Sequence, residues 1–250
     1  MPHHVVALAL PGVVAFDLST VAQVFGHPAE EEYTFAVSTP GGDDVMTSSG
    51  FSIGTVHDLD ALAHADTIII PGYRPYPRPH ESTLKVLRDA HQRGTRVASV
   101  CTGAFALAAT GLLGGLTATT HWQDAMELQR LYPDITVQPD VLYVDHGQVA
   151  TSAGVAAGID LCLHLVRRDF GERAAARIAR RFVAEMGQTP LQWILHQRVL
   201  AARHLLENSH LSVDVSAQRT GLGTASTLRR HLRREIDVTP TNYRRTFRAD

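Results

Sequence analysis

Cysteine is scarce. Cys101 and Cys162 are the only two in 250 residues. They provide no disulfide framework and point to a reducing, cytoplasmic setting. Lysine is missing altogether after residue 166, where arginine carries every fixed positive charge. No apolar run approaches the roughly 20 residues that cross a bilayer, although 44% of the chain is hydrophobic and ample for a core. Met1-Pro2-His3-His4-Val5-Val6 has neither the basic nor the apolar region of a signal peptide, and reads as the approach to a first strand. The 14 histidines show no zinc-type spacing with cysteine, so neither a metal site nor a cofactor is expected.

What charge there is divides unevenly. The net charge is −2, but residues 1–166 carry 7 Lys+Arg against 17 Asp+Glu, a net of −10. Residues 167–250 carry 16 arginines against 8 acids, a net of +8. The asymmetry suggests two functional parts. The basic part suits an anionic partner or a solvated face, and composition does not choose between them.

Short apolar runs at 4–10, 33–39, 67–70 and 97–100 read as strands. Stretches at 16–25, 81–93, 104–109, 123–131 and 154–168 read as helices, and 59–64 as a short one. Hairpins are expected over 45–55 and around Asp145-His146-Gly147, and further short strands at 117–122 and 135–138. The segment 73–79, with three prolines, fits neither helix nor central strand and is expected to form a loop over a site. Alternation of this kind implies a layered α/β domain with a mostly parallel sheet. Such sheets bind ligands at the carboxyl ends of their strands. Asp17, Pro71-Gly72, Cys101 and His121 all follow expected strands, so they should share one rim.

The stretch 97–109 is the most telling of these. It reads as a buried strand, a sharp turn at Cys101-Thr102-Gly103, and a helix. That is the layout of a nucleophile elbow, and a thiol at a helix N-terminus is expected to have a lowered pKa. The bland alternative is a small buried residue at a tight turn. Asp17 equally suits the first turn of a helix, where an acid is favoured. Trp122 and Trp193 read as core or helix-packing residues, and Cys162 as a core residue.

After Gly171 the strand signals stop. Helices are expected at 172–186, 191–207, 213–220, 225–235 and 241–247. The turn 220–224 between two short helices is a helix-turn-helix signature. Thr224, Ser226, Arg229, Arg230, Arg233 and Arg234 lie on the second helix or at its start, and arginine binds phosphate or guanine.

Ser99-Val100-Cys101-Thr102-Gly103-Ala104-Phe105, Ala118-Thr119-Thr120-His121-Trp122 and Thr151-Ser152-Ala153-Gly154-Val155-Ala156-Ala157-Gly158 resemble the GlxA family of transcriptional regulators. The resemblance implies a flavodoxin-like or glutamine-amidotransferase-like PfpI/ThiJ sensor over residues 1–180, and an AraC-type DNA-binding domain over 181–250. It also implies DNA and a small-molecule effector as partners, a homodimer, and a pocket role for Cys101, Asp17, Thr102, His121, Gly72 and Tyr73. The second part carries Gly187-Gln188-Thr189-Pro190-Leu191 and Arg198-Val199-Leu200-Ala201-Ala202-Arg203. AraC-type domains join two helix-turn-helix units by a long helix; here the linker and most of the first unit are missing from the pattern.

Four further departures stand out in the second part, and one at the elbow. Ser216 replaces an aliphatic residue, and is expected to be buried without a partner. Leu222 and Leu232 replace phenylalanines, and Asp237 replaces a glycine. Proteolytic PfpI relatives have histidine after the nucleophile, where this chain has Thr102. Isonitrile hydratase, of the same fold, resembles the chain in an Asp–Cys–Thr arrangement that Asp17, Cys101 and Thr102 reproduce. A Cys101-dependent hydratase is therefore the enzymatic alternative to a non-catalytic sensor.

Overall fold

The computed structural model describes residues 1–28, 30–154, 156–186 and 190–247, without the side chains of 183–186, 190–191 and 193–194. The motif residues 155 and 187–189, and the expected core position of Trp193, lie outside what is described. The chain divides into two units, Met1–Ile178 and Ala179–Asp250.

In the first unit a six-stranded sheet runs in the order β2 (Tyr33–Ser38), β1 (His3–Leu8), β5 (Thr67–Ile70), β6 (Arg96–Val100), β10 (Val149–Ser152), β9 (Tyr143–Asp145). All neighbours are parallel except β9, which returns antiparallel on β10. Strands at the centre are mainly apolar because both faces are covered: Val5, Val6, Ala7 and Leu8 are all fully buried. On one face Val6, Leu8, Ile68, Ile70 and Val97 pack with Leu87 of α2 (Glu81–Gln92), Phe105 and Leu107 of α3 (Gly103–Ala109) and Leu128 of α4 (Ala125–Leu131). The remaining helices are α1 (Ala15–Phe25) and α5 (Ala156–Met186). Cys162, on α5, is fully buried, as a core residue should be.

Two small pairs complete the unit. β3 (Val45–Met46) and β4 (Ser52–Ile53) form the expected hairpin. β7 (Thr117–Ala118) and β8 (Thr136–Val137) pair in parallel with each other, outside the central sheet. The short helix Leu59–His64 is a 3-10 turn. The helices expected at 154–168 and 172–186 form one run broken at Gly171, whose φ of 81° and ψ of 177° no helix accommodates.

The second unit is all helical. α6 (Pro190–Asn208), α7 (Val213–Arg219), α8 (Ala225–Ile236) and α9 (Pro240–Phe247) enclose Val199, Ala202, Leu206, Ala217, Leu222, Leu228, Leu232 and Tyr243. Both short helices are capped by side chains: Ser212 accepts from the Val215 amide and Thr224 from the Thr227 amide. Ser216 corrects the expectation of an orphaned hydroxyl. It is fully buried, but Oγ donates to the Ser212 carbonyl one turn back, at 2.9 Å. That bond removes the desolvation penalty and leaves only the missing aliphatic volume. Asp237 ends α8 in the left-handed region, at φ 53°. Restoring glycine there should stabilise the second unit by about 1 kcal/mol by relieving the Cβ strain; a urea midpoint no higher than the parent's would refute that account.

Candidate functional site

β5 and β6 lie side by side, with Ile70 opposite Ser99, so the loops leaving them emerge together. One carries Gly72 and Tyr73; the other carries Cys101 and Thr102. Cys101 occupies the left-handed region at φ 56°, uncommon for a side chain larger than glycine. Its backbone is tied on both sides: its amide donates to the Ser152 carbonyl at 3.0 Å, and its carbonyl accepts from Thr120 Oγ1 at 2.8 Å. The strained turn is over-determined by its neighbours, the condition under which such conformations persist.

Thr102 is fully buried and clamps the neighbouring loop. Its hydroxyl accepts from the Tyr73 amide and donates to the Tyr73 carbonyl, both at 3.0 Å. The Tyr73 ring belongs to the core, with its hydroxyl donating to the Pro77 carbonyl. Gly72 is the point of closest approach: a Cβ there would fall 2.4 Å from Asp17 Oδ2, 3.0 Å from Cys101 Cβ and 3.1 Å from Thr102 Oγ1. Gly154 plays the same part on the other side. A Cβ there would lie 2.8 Å from Cys101 Sγ and 2.6 Å from His121 Cδ2, so thiol and imidazole face each other across it. The structure thus brings Asp17, Gly72, Cys101, Thr102 and His121 together.

The expected low thiol pKa is overturned. Cys101 is 5% exposed, and burial together with the Asp17 carboxylate pushes its pKa well above that of an ordinary thiol. The helix behind it cannot compensate: α3 has only seven residues, and the thiol hydrogen-bonds an acid. Asp17 itself lies in the first turn of α1 but turns inward, 1% exposed, toward the thiol. Asp17→Asn should therefore lower the Cys101 pKa. Alkylation by iodoacetamide at pH 8 should speed up by about tenfold if the charge accounts for about one pKa unit. An unchanged rate and pH profile would remove Asp17 from this account.

His121 has a partner that the sequence did not single out. Its Nδ1 lies 3.3 Å from Asp124 Oδ2. Asp124 is buried and also meets the Arg74 guanidinium and the Tyr76 hydroxyl. The Tyr76 ring stacks on Phe105 at 4.0 Å. The loop 73–79 therefore does reach over the elbow, pinned through Arg74 and Tyr76. Burial holds the His121 pKa below that of a free imidazole, against the pull of Asp124. Asp124 occupies the N-cap position of α4, yet its side chain caps nothing there; an acid three residues after a rim histidine was the available signal. Trp122 corrects another expectation. It is 49% exposed and stacks on His121 rather than entering the core, because β7 ends before it and the chain turns at the surface.

In the second unit Thr224 caps α8, and Ser226, Arg229, Arg230, Arg233 and Arg234 are all exposed. Among the described residues no group of three or more His, Cys, Asp or Glu is placed to hold a metal ion. No described helix is long and apolar enough to cross a membrane.

Comparison with known proteins agrees with this division. Residues 3–168 match the DJ-1/PfpI family, and residues 174–246 match a helix-turn-helix domain. The HTH-type transcriptional regulator CdhR of Pseudomonas aeruginosa is 29% identical over 236 residues, covering 87% of this chain and 68% of that protein. The isonitrile hydratase of Pseudomonas putida is 33% identical over 129 residues, 51% of this chain and 55% of that protein. A crystal structure of an AraC family transcriptional regulator from Pseudomonas putida superposes with a TM-score of 0.65 at 19% identity, covering 72% of this chain and all of that one; at that identity it speaks for the fold alone. The helix-turn-helix match favours the regulators over the hydratase. With an α/β elbow domain followed by capped helices around a basic one, the chain belongs to the DJ-1/PfpI family and carries an AraC-type helix-turn-helix domain behind it, the pairing found in transcriptional regulators.

Proposed function

We propose that the chain is a cytoplasmic transcriptional regulator that works as a homodimer. Residues 1–180 take a small-molecule effector at the elbow without turning it over, and residues 181–250 bind DNA through α8. The exposed arginine face of α8, set on a capped turn, carries the DNA half of this reading. The sensor half is supported by the chemistry of the elbow. The thiol is held neutral, and neutral thiols are poor nucleophiles. Thr102, which follows it, is committed to the Tyr73 backbone. We also propose that most of the first helix-turn-helix unit is missing, so that DNA contact rests on α7, the turn and α8.

The test is a mobility-shift titration with duplex DNA from upstream of the chain's own gene, at 50 and 200 mM salt. Affinity should fall steeply across that range as counterions are released. Binding no tighter than to a random duplex at both salts would end the regulator reading for this chain. The hydratase alternative retains one specific observation, Asp17 in contact with the Cys101 thiol. Isonitrile turnover that vanishes in Cys101→Ser would revive it.

A further inference from the structure

Arg74 is mounted at the elbow with more donors than it uses. The backbone around it is stitched to the loop after β1: the Val14 amide donates to the Gly72 carbonyl at 2.7 Å, and the Arg74 amide to the Gly12 carbonyl at 2.8 Å. A Cβ on Gly12 would fall 2.1 Å from the Arg74 carbonyl oxygen, so the two loops lie in direct contact. The side chain is fixed as well. Nη2 donates to Asp124 Oδ2, and the guanidinium carbon lies 5.8 Å from the centre of the Tyr76 ring. The same Asp124 oxygen lies 3.3 Å from His121 Nδ1, and His121 faces the Cys101 thiol across Gly154. These contacts put the guanidinium on the rim of the elbow.

A guanidinium has five N–H donors. Among the described residues Asp124 is the one acceptor that the Arg74 side chain meets, and 42% of that side chain is exposed. The acids nearby are occupied or turned away. Asp124 serves Arg74, His121 and Tyr76, and Asp17 is 1% exposed and directed at the thiol. The thiol and the imidazole are both neutral at pH 7. A rigid fork with unused donors, among groups that are neutral or already paired, suits a planar anion that accepts two parallel N–H bonds. We propose that Arg74 is the recognition residue of the effector site and that the effector carries a carboxylate. The proposal rests on the reading of the elbow as an effector site and names the chemistry of what it takes. A dianionic phosphate would ask more of a guanidinium already shared with Asp124; a carboxylate brings a single charge.

The test compares two reagents of nearly equal size, iodoacetate and iodoacetamide, of which only the first is a carboxylate. Labelling of Cys101 in the full chain is followed by mass spectrometry at pH 8, with ionic strength held constant so that screening is equal. Both reagents attack the same thiolate, so the ratio of their rates is independent of the thiol pKa. The iodoacetate-to-iodoacetamide ratio of the parent should exceed that of Arg74→Gln by about tenfold, the worth of one charge-assisted hydrogen bond. Arg74→Lys, which keeps the charge without the fork, should fall between the two. In the parent the iodoacetate rate should level off with concentration while the iodoacetamide rate stays linear. Sodium acetate should slow iodoacetate labelling, and acetamide should not. These last two results are read on the parent and depend on no variant. An equal ratio in all three chains overturns the proposal and leaves the elbow open to a neutral effector. An iodoacetate rate that never levels off, or that acetate does not slow, overturns it as well. Labelling by neither reagent means a closed rim and removes the effector reading of the elbow itself.

Discussion

Gly103→Ala is expected to destabilise the first unit by about 3 kcal/mol, at the upper end of what overpacking usually costs. The reason lies in the kind of atoms that surround it. A Cβ at this position would fall 2.1 Å from the Ile70 carbonyl oxygen, 2.9 Å from the Pro71 oxygen and 3.0 Å from the Ile70 carbonyl carbon. All three are backbone atoms at the end of a central strand and cannot swing aside. Relief requires α3 to move away from β5, but every residue of α3 is buried, and Phe105 lies under the Tyr76 ring. The shift would also break the two Thr102 bonds to Tyr73. Gly154→Ala is the informative contrast: its Cβ would meet the His121 and Cys101 side chains, which can rotate, so its effect should be smaller. A urea titration of the full chain, with circular dichroism following the first unit, checks both. If Gly103→Ala kept the parent midpoint, the close approach of α3 to β5 would not be what holds the elbow.

Much of this architecture was legible in the sequence, and what was missed has a common physical origin. Strands β1, β5 and β6 each carry a short, mainly apolar run because two covered faces leave no regular polar alternation, and that signal is local. The elbow was legible too, since a short apolar strand, a small turn and an alanine-rich helix follow one another directly. The thiol pKa was not. Local sequence shows a helix N-terminus after Cys101, whereas the burial that dominates is set by the fold, and the acid that adds to it comes from α1 through the gap at Gly72. Asp124 was missed for the same reason: its partners Arg74 and Tyr76 arrive on the loop after β5. Ser216 was misjudged because an i−4 carbonyl is always available inside a helix, a partner that a residue-by-residue comparison overlooks. Local pattern therefore located the site, and tertiary contact decided its chemistry.

Leu228→Ala should abolish DNA binding without touching the first unit's melting transition. The side chain is fully buried between α8 and the core made by α6, α7 and α9. Truncating a buried leucine costs about 2–5 kcal/mol, depending on how far the site collapses. A unit of this size has little stability to lose, since small domains bury a smaller fraction of their surface. Among the described residues its core cluster holds eight buried ones, and two of them, Leu222 and Leu232, are already smaller than the phenylalanines of the related pattern. The polar ties do not replace the loss. Tyr243 donates to Glu207 and accepts from Arg203 Nε at 2.9 Å, which fastens α9 to α6, while among the described residues α8 has only its cap, the Asp214 bond to its Ala225 amide and the half-exposed Glu235–His196 pair beside its apolar side. Once that side is cut back, the arginine face has no fixed orientation to present to a groove. Circular dichroism should then show loss of helical signal at a lower temperature, with the sheet-bearing unit melting where it did before. If Leu228→Ala kept its DNA affinity, α8 would not need its packed orientation to bind. If the first unit's transition moved with it, the two units would share their stability, and a change at the Cys101 elbow would have an energetic route to α8.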